Sequence, residues 1–441
     1  MVRIFRIILI SIILMVTCAA IVFKKASNSV LVTPIETKSQ NFASDLRGKL
    51  IVGYQGWFGC PGDYAGNQSW SHWSFTRPDQ ENLIVDLLPA TDEYDEKDLS
   101  ATSMSTSNGT PVYLFSSLNQ NVVNKHFEWM AKYGIDGVAA QRFIADVASH
   151  AGLDRRDRVL TNIRNAAQAN GRVFYVTYDV SGANEKTVYQ DIEKDWRHLV
   201  QDLKITSSPS YLKHHGKPVL QIWGFGFTDR PGDPELVQQL LAKLKSGSNE
   251  VPPVTLIGGV PTCWRMLIRD SKSDPRWAAT YRSYDVISPW IVNRFHDDLT
   301  ADLFANFMVL PDMAETKKLG IDYMPVIFPG FSWYNLMHCE NHPEKAKLNQ
   351  VPRRGGQFYW KQVRVMLGAH ANMLYGAMFD EVNEGTALFK VETRPDHLPA
   401  GAHLVYPKLD GAEVAPDRFL HLTGLANQYL RTGMPPPELV Q

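Results

Sequence analysis

Eight short apolar runs, set between longer amphipathic stretches, constrain the fold more than any other feature of this chain. They cover residues 50–54, 137–141, 173–178, 219–223, 254–258, 286–288, 323–328 and 373–379. Each has strand length and strand composition. Between them the apolar period lengthens. In "VVNKHFEWMAKYG" Val123, Phe127 and Met130 share a helical face, and in "VYQDIEKDWRHLVQDL" Val188, Ile192, Trp196 and Leu199 do so. Further helices are expected over 235–244, 299–319 and 357–369. Strand-helix alternation implies parallel strands covered on both faces. Eight such units predict an α/β fold, a closed (β/α)8 TIM barrel forming a single catalytic domain over 47–432, with an open doubly wound sheet as the alternative.

In this fold the site lies beyond the C-terminal ends of the strands. The residues there are Gln55, Trp57 and Phe58; Gln141, Arg142 and Phe143; Asp179; Trp223; Cys263 and Trp264; Trp290; Phe331, Trp333 and Tyr334; and the stretch from Asp380 to Glu384. Aromatic and acidic residues recur and Lys is absent, a set suited to a sugar, whose C–H faces are apolar and whose hydroxyls need hydrogen bonds. The formal net charge of -1 gives no surplus of basic residues for nucleic acid or an anionic surface. The expected substrate contacts are Trp57, His72, Trp73, Gln141, Arg142, Asp179, Trp223, Trp290, Trp333, Tyr334, Asp380 and Asn383. For Arg142 two roles stand: binding a substrate carboxylate, or, favoured, pairing with Asp179.

The last apolar run ends in "FDEVNEGTALFKV", residues 379–391, with Asp380, Glu381 and Glu384 within five positions. Asn383 and Gly385 favour a turn, which allows Glu381 and Glu384 to converge. Glycosidic cleavage needs such a pair, one carboxyl protonating the leaving oxygen while the other acts elsewhere around the anomeric centre. The competing reading is an acidic loop that caps a helix or pairs with Arg or Lys.

This stretch resembles the eighth-strand signature of glycoside hydrolase family 99, the endo-α-mannosidase and endo-α-mannanase group, roughly F-N-E-W-H-E-G-T-Q, with both glutamates and the Gly-Thr in register. "VGYQGWFGCPGDYAGNQSWSHW", residues 52–73, is similar to that family's opening strand and loop. Family 71, a group of α-glucanases, is less similar. The resemblance implies a retaining α-glycosidase without metal or cofactor. In it Glu381 matches the glutamate that deprotonates the sugar 2-hydroxyl, giving a 1,2-anhydro intermediate, and Glu384 matches the acid/base. Asp380 stands where the signature has Asn, Val382 where it has Trp and Asn383 where it has His. "TYDVSG" replaces a Glu-Pro segment and "QRFIAD" a Trp-Tyr-Pro loop. These departures suggest a sugar other than mannan. The alternative is a carbohydrate-binding barrel without turnover.

Arg3 and Arg6, an apolar run over 7–23 and Lys24-Lys25 form the pattern of an export signal or uncleaved anchor over 1–26. Cys18 stands loosely as at a lipoprotein site. The chain is expected outside the cytosol: secreted, periplasmic or attached to a membrane by this segment. Residues 27–46 read as a polar tether and 433–441 as a tail. Cys60, Cys263 and Cys339 show no CxxC spacing, so no zinc framework is expected but rather one disulfide and one free thiol. His214 and His215 fall in a turn with Gly216, without Cys or carboxylate neighbours at metal spacing.

Overall fold

A computed structural model describes residues 42–64 and 67–438. Eight parallel strands form one ring: β1 (Leu50–Tyr54), β2 (Gly137–Phe143), β3 (Val173–Asp179), β4 (Lys217–Trp223), β5 (Thr255–Val260), β6 (Val286–Pro289), β7 and β8 (Leu374–Gly376). β7 is in two pieces, Asp322–Tyr323 paired with β6 and Val326–Ile327 paired with β8. Between the pieces the Met324 N–H donates to the Ile287 carbonyl, and the Pro325 carbonyl accepts from the Tyr375 N–H. The ring closes through them. Pro325 has no N–H to donate, which accounts for the break in an otherwise continuous apolar run.

A helix follows every strand: α1 (Gln120–Tyr133), α2 (His150–Asn170), α3 (Val188–Gln201), α4 (Pro234–Ser246), α5 (Trp277–Tyr281), α6, α7 (Gln357–Gly368) and α8 (Arg418–Thr432). α6 runs from Asp298–Phe304 through a π turn, Ala305–Val309, to Leu310–Leu319. This is the (β/α)8 barrel. All residues of β1, β3 and β5 are buried, as expected of parallel strands covered on both faces. On α3 the predicted stripe of Val188, Ile192, Trp196 and Leu199 is fully buried, each side chain contributing about 1.5–3 kcal/mol. Helix ends follow the local chemistry: Asp233 accepts the Glu235 and Leu236 N–H groups before α4, and Gly134 takes the left-handed turn after α1. At the start of β2 a Cβ on Gly137 would lie 1.8 Å from the Val173 carbonyl oxygen, so only glycine lets β2 and β3 meet there.

The connection from β1 to α1 is the longest, and it holds a hairpin that the apolar pattern did not suggest, Leu99–Ser105 against Pro111–Phe115. Beneath it Phe58, Trp73, Tyr94 and Phe115 pack with the buried His126. The His126 ring nitrogens each meet a tyrosine hydroxyl, Tyr54 and Tyr94, at 2.8 Å. Burial lowers His126 to about 3, so it serves as a neutral packing residue.

Three expectations change. Residues 42–46, read as the end of the tether, lie on the barrel: Leu46 is fully buried and the Ala43 carbonyl accepts the Lys213 N–H. The tail is engaged too, its Pro437 carbonyl accepting from the Trp360 indole at 2.9 Å. Cys60, Cys263 and Cys339 are all free thiols, because the fold gives them separate neighbours: the Leu114 carbonyl for Cys60, Asp270 for Cys263, and the Glu81 and Leu83 carbonyls for Cys339. The segment 1–26 lies outside the described residues. Among the described residues no helix is long and apolar enough to cross a membrane.

Candidate active site

The chain leaving β8 turns tightly, and the turn is built on two carboxylates. Asp380 is fully buried; its oxygens accept the Gln55 N–H at 2.7 Å and the Gly56 N–H at 2.9 Å. Burial pushes it up to about 6 against the pull of these donors. It therefore anchors the exit of β1 and does not line the cavity at the mouth of the barrel, in place of the contact role expected of it. Asp380→Ala leaves two buried N–H groups unpaired and is expected to cost about 3 kcal/mol in denaturant unfolding, with Asp380→Asn costing less because one acceptor oxygen remains. An unchanged midpoint in the alanine variant would remove the anchoring role.

Glu381 Oε1 accepts the N–H groups of Asn383 at 2.8 Å and Glu384 at 3.2 Å, while Oε2 accepts Gln55 Nε2 at 2.9 Å. Gly385 then reverses the chain at φ +64° against Ser332, whose N–H donates to the Glu384 carbonyl at 2.9 Å. Asn383 fastens the turn through its amide to the His72 and Ile84 carbonyls, at 2.8 and 2.9 Å. Like Asp380 it is buried scaffold rather than a residue on the cavity wall.

Both glutamates line one cavity of about 150 Å³ at the C-terminal end of the barrel. Its wall follows the two-residue repeat of the strands: Gln141 and Phe143 from β2, Thr177 and Asp179 from β3, Gln221 and Trp223 from β4. Gln55 and Trp57, Ser181, Arg230, Trp290, Tyr375 and Met378 complete it. Burial, then the Asp179 charge, raise Glu384 to about 7, with Arg230 opposing. Burial also raises Glu381 well above the ordinary carboxylate range, helped by Glu384 and Asp380 and opposed by the backbone donors. Each carboxylate disfavours ionisation of the other, so the pair loses its two protons in separate steps. Three N–H donors aimed at Glu381 stabilise its charged form and oppose its rise. Among the described residues neither glutamate forms an ion pair with Arg, Lys or His. The Gln55 Oε1 and the indole nitrogens of Trp57 and Trp223, all from cavity-lining side chains, meet no partner among the described residues.

Seven expected positions thus share the cavity: Trp57, Gln141, Asp179, Trp223, Trp290, Glu381 and Glu384. Others do not. Arg142 points to the opposite face of β2 from Gln141 and is clamped by Asp195 of α3, Nε at 2.6 Å and Nη2 at 2.7 Å, and by Asp157 at 2.7 Å. Asp179 pairs instead with Gln141 Nε2 at 2.9 Å. His72 stacks on Trp57 with ring centroids 4.1 Å apart, backing the wall, and burial lowers it to about 3. Trp73 is core, its indole N–H donating to the Phe115 carbonyl at 2.9 Å. Trp333 packs on Phe331, and Tyr334 lines a separate groove with His338 and His403. Their loop is drawn aside by buried Asp86, which accepts the Ser332 hydroxyl and the Tyr334 and Asn335 N–H groups. Thr177 and Gln221 were within reach of the alternation rule, two residues before Asp179 and Trp223. Arg230 sits in an irregular loop that carries no signal.

Solved structures of similar shape include two of the GH99 endo-α-mannosidase from Bacteroides thetaiotaomicron, one of them in complex with Bis-Tris propane. The TM-scores are 0.61 and 0.59 at 14% and 15% identity, covering 88% of this chain and 99% of the other in each case. The fold is that of glycoside hydrolase family 99. The sequence itself matches no family model and no curated protein.

Proposed function

We propose that this chain is an exported glycoside hydrolase that cleaves α-linked glycans or polysaccharides by a retaining mechanism using Glu381 and Glu384. The observation that carries this reading is the pair itself: two glutamates on one turn, facing one aromatic-walled cavity, with no ion pair to either among the described residues and Arg230 of the cavity wall only partly offsetting the rise of Glu384. Glu381, held by three N–H donors, is suited to act as the base on the sugar 2-hydroxyl. Glu384, raised by burial and by Asp179, keeps a proton for the leaving oxygen. Trp57, Trp223 and Trp290 line the cavity with apolar surface suited to sugar C–H groups, and Gln141, Gln221 and Asp179 offer hydrogen-bonding atoms. The differences from the family signature, above all Val382 and Asn383, favour a sugar other than mannose.

The pH profile follows from the same charges. The acid form of Glu384 is present below its raised value and lost above it, so kcat/KM is expected to fall tenfold per pH unit above about 7. A second fall on the acid side marks protonation of the pair's other carboxylate. Asp179→Asn removes the charge that helps to raise Glu384 and is expected to move the alkaline limb to lower pH. An alkaline limb unmoved by Asp179→Asn, Glu384→Gln being inactive, would separate Asp179 from this role.

A further inference from the structure

The end of the barrel opposite the cavity carries a cluster that the proposed hydrolysis does not use. The strand pair Lys213–His214 and β4 are joined by a tight turn at His215 and Gly216, with φ of +51° and +74°. Two left-handed residues in succession make the kind of turn that favours Gly and tolerates few side chains, and here it carries a histidine. The turn brings two adjacent imidazoles together, ring centroids 3.9 Å apart. Asp322, the first residue of β7, meets both: its Oδ2 lies 2.9 Å from His214 Nε2 and 3.1 Å from His215 Nε2.

We infer that His214 Nε2, His215 Nε2 and the Asp322 carboxylate form a binding site for a divalent transition-metal ion of the zinc type. The three ligand atoms lie within 4.8 Å of one another. A tetrahedral ion about 2 Å from each ligand holds them about 3.3 Å apart, so small side-chain rotations suffice. The support behind the ligands is in place. His214 Nδ1 meets Asp45 Oδ1 at 2.8 Å, the carboxylate–histidine arrangement that presents Nε2 to a metal. His214 is fully buried and its carbonyl accepts the Thr255 hydroxyl at 2.6 Å, so the ring is held from two sides. The half-exposed His215 leaves a path from solvent and a position for water as fourth ligand. Arg47, whose Nη2 lies 3.0 Å from Asp322 Oδ2, is the cation with which the metal competes; it is 44% exposed and free to swing away. A bound ion would join β7, the turn before β4 and the chain entering β1. Sequence spacing gives no sign of this, because Asp322 lies 107 residues from His215.

The test is zinc titration of the purified full chain by calorimetry after chelator treatment, with cobalt absorption reporting the ligand geometry. One equivalent of zinc is expected, with a cobalt spectrum of the tetrahedral type. His215→Ala and Asp322→Asn are expected to lose this binding. Asp45→Asn is expected to weaken it about tenfold, and Arg47→Ala to leave it intact or tighten it. His215 is half-exposed, so its variant is expected to fold, which the thermal transition without metal checks. Absence of zinc binding in wild type, or unchanged binding in both folded His215→Ala and Asp322→Asn, would overturn the assignment.

Discussion

Glu384→Gln is expected to lower turnover by about 10²–10⁴-fold without unfolding the protein, because the amide matches the acid in shape but cannot deliver a proton. Stability should move in the opposite sense. A buried carboxylate raised to about 7 costs stability progressively as pH rises from its unfolded value through the folded one, since over that window the folded state binds more protons. The glutamine variant escapes this cost and is expected to melt at or above wild type at pH 8. Glu381→Gln should be equally inactive but less well folded, since its carboxylate accepts three N–H donors that one amide oxygen cannot all satisfy. Loss of activity together with a lower Tm in Glu384→Gln would instead make Glu384 a residue of the scaffold.

Arg142→Met is expected to be the most destabilising surface-preserving change in the barrel wall, by about 3–5 kcal/mol. The guanidinium bridges Asp195 and Asp157, and Asp195, nearly fully buried, also accepts the Tyr178 hydroxyl at 2.8 Å. Removing the cation strands a buried carboxylate. Arg142→Lys should recover little, because an ammonium cannot reproduce the two-pronged contact with Asp195. Combining Arg142→Met with Asp195→Leu should restore much of the loss. Denaturant midpoints of the four proteins decide the matter. A variant with wild-type stability and a raised KM would return Arg142 to the role of a substrate ligand.

Arg142 also shows where sequence reading stops. β1 was legible to the residue, and the remaining strands to within a few, because buried parallel strands need continuous apolar runs whatever surrounds them. The same period-two geometry that makes a strand readable sends Gln141 and Arg142 to opposite faces, yet it does not say which face is inside. Asp195, a polar residue on an otherwise apolar stripe of α3, was the available hint of a buried partner on the outer face. The glutamate pair was visible because one local turn makes it. Tertiary contacts made the rest: the loop holding Trp333 and Tyr334 is pulled aside by Asp86, nearly 250 residues earlier, and the His214–Asp322 cluster joins segments 108 residues apart. The cysteines failed for the same reason, since parity in a sequence carries no distance.

The most direct test of the paired-glutamate reading is product release from a panel of α-linked glycans and polysaccharides by the full chain, beside Glu381→Gln and Glu384→Gln. Sugars released by wild type and by neither variant are the predicted result, and the substrate that yields them names the specificity. Glycans bound equally by all three proteins and cleaved by none would contradict it and leave a carbohydrate-binding barrel.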